Sequence, residues 1–175
     1  MNAVPSPSPT ARLFWWPLGL VVLADVATKA LAHTQLARSR SYPLLGEALQ
    51  FTLTYNPGAA FGLHLGPYSR WIFLAVAVVA LVVLWRMYRE TSRGDQARAL
   101  ALGLISGGAL ANLLNRLWSA QGVVDFIDVG IGELRWPTFN LADSAISIGA
   151  VLLVWVLWDE DHPRTAAAGS SFGSP

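Results

Sequence analysis

Four long apolar stretches limit what this chain can fold into. They run from Leu13 to about Ala32, from Trp71 to about Tyr88, from about Ala97 to Leu117 and from about Asn140 to Trp158. Each is close to the ~20 apolar residues that an α-helix needs to cross the hydrocarbon core of a bilayer. With 54% hydrophobic and only 13% charged residues, the chain is too apolar for an ordinary soluble domain. We therefore predict an all-α membrane protein with four transmembrane helices.

The rest of the composition excludes several function classes. A formal net charge of +1 argues against a basic surface for nucleic acid, and the 8 Trp and 4 Tyr suit the interfacial belts of a membrane protein. The absence of Cys removes disulfides, thiol catalysis and thiolate metal sites. His33, His64 and His162 are too widely separated for a zinc motif. We predict neither a metal site nor a cofactor.

The two ends of the chain differ in composition from its middle. In residues 1–11 three prolines alternate with Ser and Thr, and residues 161–175 are rich in Ala, Gly and Ser. Such segments bury too little apolar surface to fold. We predict a disordered leader over 1–11, a four-span membrane domain over 12–160 and a disordered tail over 161–175.

Two charged residues lie near the end of the first apolar stretch. Asp25 and Lys29 are four residues apart on one helical face, in the favourable acidic-before-basic order. We interpret them as an ion pair that lets a helix end sit at the membrane interface. A cleaved signal peptide is the alternative, because Arg12, the apolar core and Ala30-Leu31-Ala32 mimic its three parts. Two charges just before the cleavage position argue against it, so we predict a retained span.

The segment between the first two spans contains a strand pattern. From Leu49 to Tyr55 apolar residues alternate with Gln and Thr, which is the period of a strand with one apolar face. Asn56-Pro57-Gly58 then predicts a turn, followed by small residues that allow close backbone approach. By itself this turn indicates a loop rather than a function.

Charge and residue size predict how the helices are arranged. The connection between the second and third spans holds four arginines, which mark the cytoplasmic side of short loops: Arg86, Arg89, Arg93 and Arg98. Both termini are then cytoplasmic, and residues 33–70 and 118–138 share the outer side. The third span is rich in Gly, Ser and Ala, which let helices approach closely in lipid.

Polar and ionisable side chains cluster where the third and fourth spans reach the outer side. Asn112, Asn115 and Arg116 share one helix face, and we interpret residues 118–138 as an external loop. The predicted topology brings six polar residues to one depth near the outer leaflet: Asn56, Asn112, Arg116, Asp125, Asn140 and Asp143.

A structural interpretation exists for each acid. Asn140 and Asp143 fit the cap and first turn of a helix, and Asp125 could be a solvated loop charge, as we predict for Asp128 and Glu133. Capping does not explain why Asp125 lies among apolar neighbours at the same end as Asp143. A carboxylate at the edge of a hydrocarbon layer is costly unless it is paired or faces a wet cavity.

The alternative to a structural role is that the two acids act together as a catalytic pair. Two close carboxylates at a low-dielectric rim cannot both ionise easily, so one keeps a proton while the other activates water. We therefore predict Asp125 and Asp143 as the catalytic pair of a membrane-embedded aspartyl hydrolase. Three amides would bind a peptide backbone or an oxyanion, and Arg116 would pair with a carboxylate or position substrate. The amides are those of Asn56, Asn112 and Asn140.

Five motifs in order make the sequence resemble the lipoprotein signal peptidases, or signal peptidase II family, from Asp25 to about Ile148. They are Asp-x-x-Thr-Lys at Asp25 to Lys29, Asn-x-Gly-Ala-Ala-Phe at Asn56 to Phe61, the helix end from Gly107 to Arg116, the segment Val123 to Asp128, and Phe139-Asn140-Leu141-Ala142-Asp143. The third motif departs from the family pattern Gly-Asn-x-x-Asp-Arg, because Ala111 and Asn115 replace its Gly and Asp. Val26 also stands where Gln is usual.

This resemblance implies a four-helix aspartyl endopeptidase of the bacterial inner membrane with a small extracytoplasmic β platform. Such an enzyme removes signal peptides from prolipoproteins next to a diacylglyceryl-modified cysteine. Asp125 and Asp143 would be its catalytic pair. The site-lining residues would be Asn56, Asn112, Arg116 and Asn140, where the inhibitor globomycin also binds. Its partners would be prolipoproteins, membrane lipids and globomycin-type inhibitors, and we predict a monomer.

Two non-enzymatic functions remain as alternatives. A small transporter would need polar residues throughout the bilayer, whereas the middles of the second and fourth spans, Ile72 to Leu84 and Ile148 to Leu157, are nearly bare of them. An assembly factor that binds a partner helix would not need two carboxylates at one depth. Cleavage of a lipid-modified precursor distinguishes the peptidase from both.

Overall fold

The described part of the protein forms four long helices and a small sheet. A computed structural model describes residues 8–38, 40–58 and 66–162. The helices are α1 (Pro9–Gln35), α2 (Ser69–Glu90), α3 (Gln96–Trp118) and α4 (Leu141–Asp161). All four are long and apolar enough to cross a membrane, which confirms the four predicted spans. A short 3-10 turn, Gly66–Tyr68, precedes α2.

The first helix starts earlier than its hydropathy indicates. Ser8 caps α1 by accepting a hydrogen bond from the Ala11 N–H at 3.2 Å. Pro9 fits the first turn because its missing N–H would have no helical partner there. The helix therefore begins inside the predicted leader, at Pro9. The rest of that leader, residues 1–7, and residues 163–175 of the predicted tail lie outside the described residues.

Helix α3 lies at the centre of the bundle, in contact with the other three helices. Its glycines are the reason the helices approach so closely. A Cβ on Gly103 would lie 2.5 Å from the Phe14 carbonyl oxygen of α1, and one on Gly108 would clash with the Ala142 carbonyl of α4. The prediction that small residues of this span allow close helix packing is confirmed.

Four antiparallel strands form the sheet, in the order β1 (Ser41–Leu45), β2 (Leu49–Asn56), β3 (Val123–Ile131) and β4 (Leu134–Arg135). The strand predicted from Leu49 to Tyr55 is confirmed as β2. Residues 118–138, however, are not simply a loop, because β3 occupies their middle. Residues 123–126 are buried in succession, so the segment lacks the alternation that reveals a strand with one exposed face.

The two ends of the bundle are distinct. At one end the sheet packs on α1 through a small core of Ala32, Leu53, Val124 and Phe126. At the other end the Thr10 hydroxyl donates to the Arg93 carbonyl, and Arg98 lies 3.5 Å from Glu160. The polar residues that the sequence predicts to meet lie at the sheet end.

Candidate active site

The amino terminus of α4 is capped by two reciprocal hydrogen bonds. The Asn140 side chain accepts from the Asp143 N–H at 3.0 Å, and the Asp143 carboxylate accepts from the Asn140 N–H at 3.1 Å. This capping box satisfies helix N–H groups that have no partner within the helix. The structural interpretation of Asn140 and Asp143 is therefore confirmed, and it leaves one oxygen of Asp143 available for other contacts.

Backbone pairing brings Asp125 to the same place. The carbonyl of Phe139, just before α4, accepts hydrogen bonds from the N–H groups of Phe126 at 3.0 Å and Ile127 at 2.8 Å. The Phe139 N–H donates in return to the Ile127 carbonyl at 3.0 Å. Strand β3 is thus attached to the start of α4, and Asp125 lies beside Asn140.

A single residue, Asn140, contacts both acids. Asn140 donates through Nδ2 to Asp125 Oδ1 at 2.6 Å, while its backbone N–H donates to Asp143 Oδ2. Asn140 is fully buried and lies behind the cavity wall, so it holds the carboxylates instead of lining the space beside them. The two predicted catalytic acids are therefore neighbours with a common hydrogen-bond partner.

A second chain of hydrogen bonds reaches Asp143 from α1. Asn112 donates through Nδ2 to Asp143 Oδ1 at 2.8 Å. Its own Oδ1 accepts from Lys29 Nζ at 2.7 Å and from Asn140 Nδ2 at 3.3 Å. Lys29 is 5% exposed, so this ammonium lies inside the bundle.

The predicted ion pair between Asp25 and Lys29 is confirmed, but it is buried inside the bundle. They form an ion pair with a 2.7 Å separation, but Asp25 is fully buried and its Oδ1 accepts from the Ala142 N–H of α4 at 2.9 Å. The pair therefore fastens α1 to the helix that carries Asp143. The signal that could have revealed it is the high cost of two charges inside an apolar span.

The electrostatic environment of Asp125 is unusual for a surface acid. Burial and the neighbouring charge of Asp143 raise the pKa of Asp125 from 3.8 to about 6. Hydrogen bonds from Asn140 and Asn56 and the charge of Lys29 act in the opposite direction. Asp125 therefore keeps a proton at a pH where an ordinary aspartate has lost it.

Arg116 is held by backbone carbonyls. Its guanidinium donates to the Gly58 carbonyl at 2.9 Å and to the Asn112 carbonyl at 3.3 Å. The neighbouring Asn115 has a different role, because its Oδ1 accepts from the Val124 N–H at 2.8 Å. The Asn115 amide thus attaches β3 to α3, one residue before Asp125.

A cavity of about 790 Å³ opens beside the two acids. Five of the six predicted site residues line it, namely Asn56, Asn112, Arg116, Asp125 and Asp143. Apolar side chains contributed by the segment before α4 and by α4 itself complete the wall: Trp136, Pro137, Phe139, Ile146 and Ile148. Such a mixed lining suits an elongated ligand that is partly apolar and partly peptide-like.

The prediction that Asp128 is a solvated loop charge was wrong. It is 7% exposed, pairs with Arg135 at 2.7 Å and accepts a hydrogen bond from Thr52 at 3.0 Å. Glu133, in contrast, is exposed as predicted. Within the part of the chain that the structure describes, no three His, Cys, Asp or Glu side chains are grouped to hold a metal ion.

The fold and this site can be compared with known proteins. A family model described as signal peptidase (SPase) II matches residues 18–159. The chain belongs to the signal peptidase II family. The lipoprotein signal peptidase of Teredinibacter turnerae is 42% identical over 150 residues, which cover 83% of this chain and 87% of that protein. That of Pseudomonas paraeruginosa is 37% identical over 163 residues, which cover 90% and 95%.

Two solved structures of bacterial membrane enzymes also share the fold. One has a TM-score of 0.77 at 28% sequence identity and covers 88% of this chain and 93% of its own. The other has a TM-score of 0.72 at 30% identity, with coverages of 81% and 90%. Membership of the signal peptidase II family supports a multi-pass membrane peptidase of lipoprotein processing.

Proposed function

We propose that this signal peptidase II is an aspartyl endopeptidase that cleaves prolipoproteins on the amino-terminal side of a diacylglyceryl-modified cysteine. Asp125 and Asp143 are its catalytic residues. Asn56, Asn112 and Arg116 bind the substrate backbone, and Asn140 holds the two acids in register. The enzyme acts as a monomer at the extracytoplasmic face of the bacterial inner membrane, with both termini cytoplasmic.

The observation that carries this proposal is the arrangement of two carboxylates around Asn140. Asn140 fixes the relative position of the acids through two N–H groups, because its side-chain Nδ2 lies 2.6 Å from Asp125 Oδ1 and its backbone nitrogen lies 3.1 Å from Asp143 Oδ2. The raised pKa of Asp125, about 6, supports the sharing of one proton between them. Both acids border the same cavity, where a peptide and a water molecule can meet them.

The reaction follows from one ionised and one protonated carboxyl. The carboxylate takes a proton from water, and the resulting hydroxide forms a bond to the scissile carbonyl carbon while the carboxylic acid protonates the carbonyl oxygen. The diol then collapses. One hydroxyl proton of the diol returns to the group that protonated the carbonyl oxygen. The C–N bond breaks, and the amine nitrogen receives the proton that the other group took from water. A carboxylic acid and an amine leave, and the pair is restored.

The shape of the cavity fits the substrate class. Its apolar wall along α4 includes Ile146 and Ile148, and α4 is a membrane-spanning helix. The apolar residues of a signal peptide and the acyl chains of the modified cysteine can reach the acids without leaving the membrane. Arg116 and Asn56 line the same cavity, where they would contact the peptide backbone. A globomycin-type inhibitor would occupy the same space.

The test is cleavage of a lipid-modified precursor by purified protein in detergent micelles, with and without globomycin. We expect a single cut next to the modified cysteine that globomycin abolishes. An unmodified precursor, with the same sequence but no diacylglyceryl group, is the matched control and should be cleaved far more slowly. Equal cleavage of both precursors would contradict the proposed specificity, and no cleavage of either would contradict the activity.

A further inference from the structure

The two carboxylates differ in the donors that surround them. Both oxygens of Asp143 accept hydrogen bonds from N–H groups, Oδ1 from Asn112 Nδ2 at 2.8 Å and Oδ2 from the Asn140 backbone at 3.1 Å. An amide N–H cannot accept a proton, so these contacts favour the ionised carboxylate. Asp143 also lies in the first turn of α4, where the helix dipole stabilises a negative charge.

The amide of Asn112 connects Asp143 to a buried cation. Lys29 Nζ donates to Asn112 Oδ1 at 2.7 Å, on the opposite side of the amide from the Asp143 contact. The ammonium therefore polarises the amide that donates to the carboxylate, and successive hydrogen bonds in a low-dielectric site strengthen one another. Lys29 is itself kept in place by Asp25, which is fully buried and also accepts from the Ala142 N–H.

Asp125 lies in a different part of the fold, although the side chains of Asn140 and Asn56 also donate hydrogen bonds to it. Its Oδ1 accepts from the Asn140 side chain at 2.6 Å, and the residue belongs to β3 instead of to a helix start. Burial and the charge of Asp143 raise its pKa to about 6. Asp125 therefore has the properties of the acid that holds a proton.

Other charged groups around Asp143 are engaged elsewhere. Arg116 of α3 donates to the carbonyls of Gly58 and Asn112. Arg70 of α2 donates to the carbonyls of Arg116 and Leu117. Asp25 of α1 pairs with Lys29, and Asp125 of β3 contacts Asn140. Among the described residues, Lys29 is the cation whose side-chain hydrogen bonds lead to the Asp143 carboxylate.

We propose that Lys29, acting through Asn112, is a positioning residue that keeps Asp143 ionised as the base and leaves the shared proton on Asp125. This assignment rests on the proposed function. Asp143 then takes the proton of the attacking water and later gives it to the leaving amine. Asp125 protonates the scissile carbonyl oxygen and recovers its proton when the diol collapses.

The test compares pH–kcat profiles of the wild type, Lys29→Gln and Lys29→Arg at saturating lipid-modified precursor. The fall of kcat at low pH, which we call the acid limb, reports the pKa of the base in the enzyme–substrate complex. Losing the cation should make Asp143 easier to protonate, so we expect the acid limb of Lys29→Gln to move up by about one pH unit. Lys29→Arg keeps the charge and should restore the wild-type limb. A residue with only a structural role would lower kcat equally at every pH.

A second variant keeps the test decisive if Lys29→Gln does not fold, since that change leaves Asp25 as a buried charge without its cation. In the double variant Asp25→Asn/Lys29→Gln both charges disappear, while the side-chain sizes and the acceptor for the Ala142 N–H are kept. We expect the same upward movement of its acid limb. An unmoved limb in the folded variant would overturn the role of Lys29. Near-normal turnover by Asp125→Asn would instead overturn the aspartyl mechanism itself.

Discussion

Asn140 both caps α4 and contacts the two acids that we propose as the catalytic pair. Its side-chain oxygen caps α4, its side-chain nitrogen contacts Asp125 and its backbone contacts Asp143. The capping interpretation and the catalytic interpretation are therefore compatible. The two interpretations predict different outcomes only when a carboxylate is replaced by an amide. Such a change keeps the helix cap, because Asn caps a helix about as well as Asp, but it removes the ionisable group.

We expect Asp125→Asn and Asp143→Asn each to lower turnover by roughly 10²-fold or more, because an amide neither takes the water's proton nor donates one of its own. The double variant should be little worse than either single one, as for residues that act as a unit. Single-turnover cleavage of lipid-modified precursor measures the effect, alongside thermal melting of each variant.

The matched control for these variants is Glu133→Gln, an exposed acid on the same side of the protein. Asp128→Asn is unsuitable because it would break the buried pair with Arg135. Glu133→Gln should cleave at the wild-type rate. Near-normal turnover by either Asp125→Asn or Asp143→Asn would exclude the proposed mechanism.

The raised pKa of Asp125 also has a consequence for stability. The folded protein binds this proton more tightly than the unfolded chain, so the free energy of unfolding falls as pH rises from 3.8 to about 6. Above that range the folded protein carries the full free-energy cost of ionising the buried Asp125. The difference between the two pKa values puts this cost at about 3 kcal/mol. In Asp125→Asn the amide side chain cannot ionise, so the variant does not incur this cost.

We therefore expect Asp125→Asn to melt at a higher temperature than the wild type near pH 8, and at the same temperature near pH 4. The inactive variant would then be the more stable one near pH 8, where the wild type carries an ionised, buried Asp125. Thermal melting in detergent across this pH range measures the difference. A gap in melting temperature that does not change with pH would contradict the explanation.

At the scale of elements, the attachment of β3 to α3 depends on Asn115. Its Oδ1 accepts from the Val124 N–H at 2.8 Å, directly before Asp125. A carboxylate can accept the same hydrogen bond, and more strongly because it is charged. This contact gives a structural reason why Asn can replace the Asp of the family motif without releasing the strand.

We expect Asn115→Asp to leave cleavage intact or improved and to stabilise the protein modestly, by about 0–1 kcal/mol. Asn115→Leu is the contrasting variant, because it leaves the Val124 N–H without its acceptor at a cost of about 1–3 kcal/mol. Cleavage assays and thermal melts of both variants provide the measurement. Complete loss of activity in Asn115→Asp would show that this site requires the neutral amide.

The whole molecule has a sheet end that carries Asp125 and Asp143 and an opposite end that carries the arginine-rich connection between α2 and α3. Arg93 and Arg98 lie at the opposite end beside the first turn of α1 and the last turn of α4. Short arginine-rich loops stay in the cytoplasm, so the sheet and the cavity should face outward.

We expect reporter fusions at about residue 45 and at the carboxyl terminus to report opposite sides of the membrane, with residue 45 outside. An enzyme that is active only after export, paired with one that is active only in the cytoplasm, gives a reciprocal readout. A fusion in the connection between α2 and α3 is the internal control and should agree with the carboxyl terminus. Fusions at residue 45 and at the terminus on the same side would contradict the four-span topology.

Hydropathy and spacing alone determined the four spans, the strand β2 and the end of the bundle where the polar residues meet. These features depend on local patterns, namely apolar run length for the spans and alternation for the strand. The choice of Asp125 and Asp143 as candidates also came from local context, because an acid next to an apolar run is costly wherever the chain goes.

Only the tertiary structure decided the contacts made by residues far apart in the chain. Lys29 meets Asn112, and Asp25 meets the start of α4, across separations of 83 and 117 residues that no local pattern encodes. The sequence did not predict strand β3, because a strand buried on both faces lacks the alternation of apolar and polar residues. Asp128 was misjudged because its partner Arg135 becomes a neighbour only when β3 and β4 pair. Charge in a sequence shows where an energetic cost arises, whereas packing determines which group offsets it.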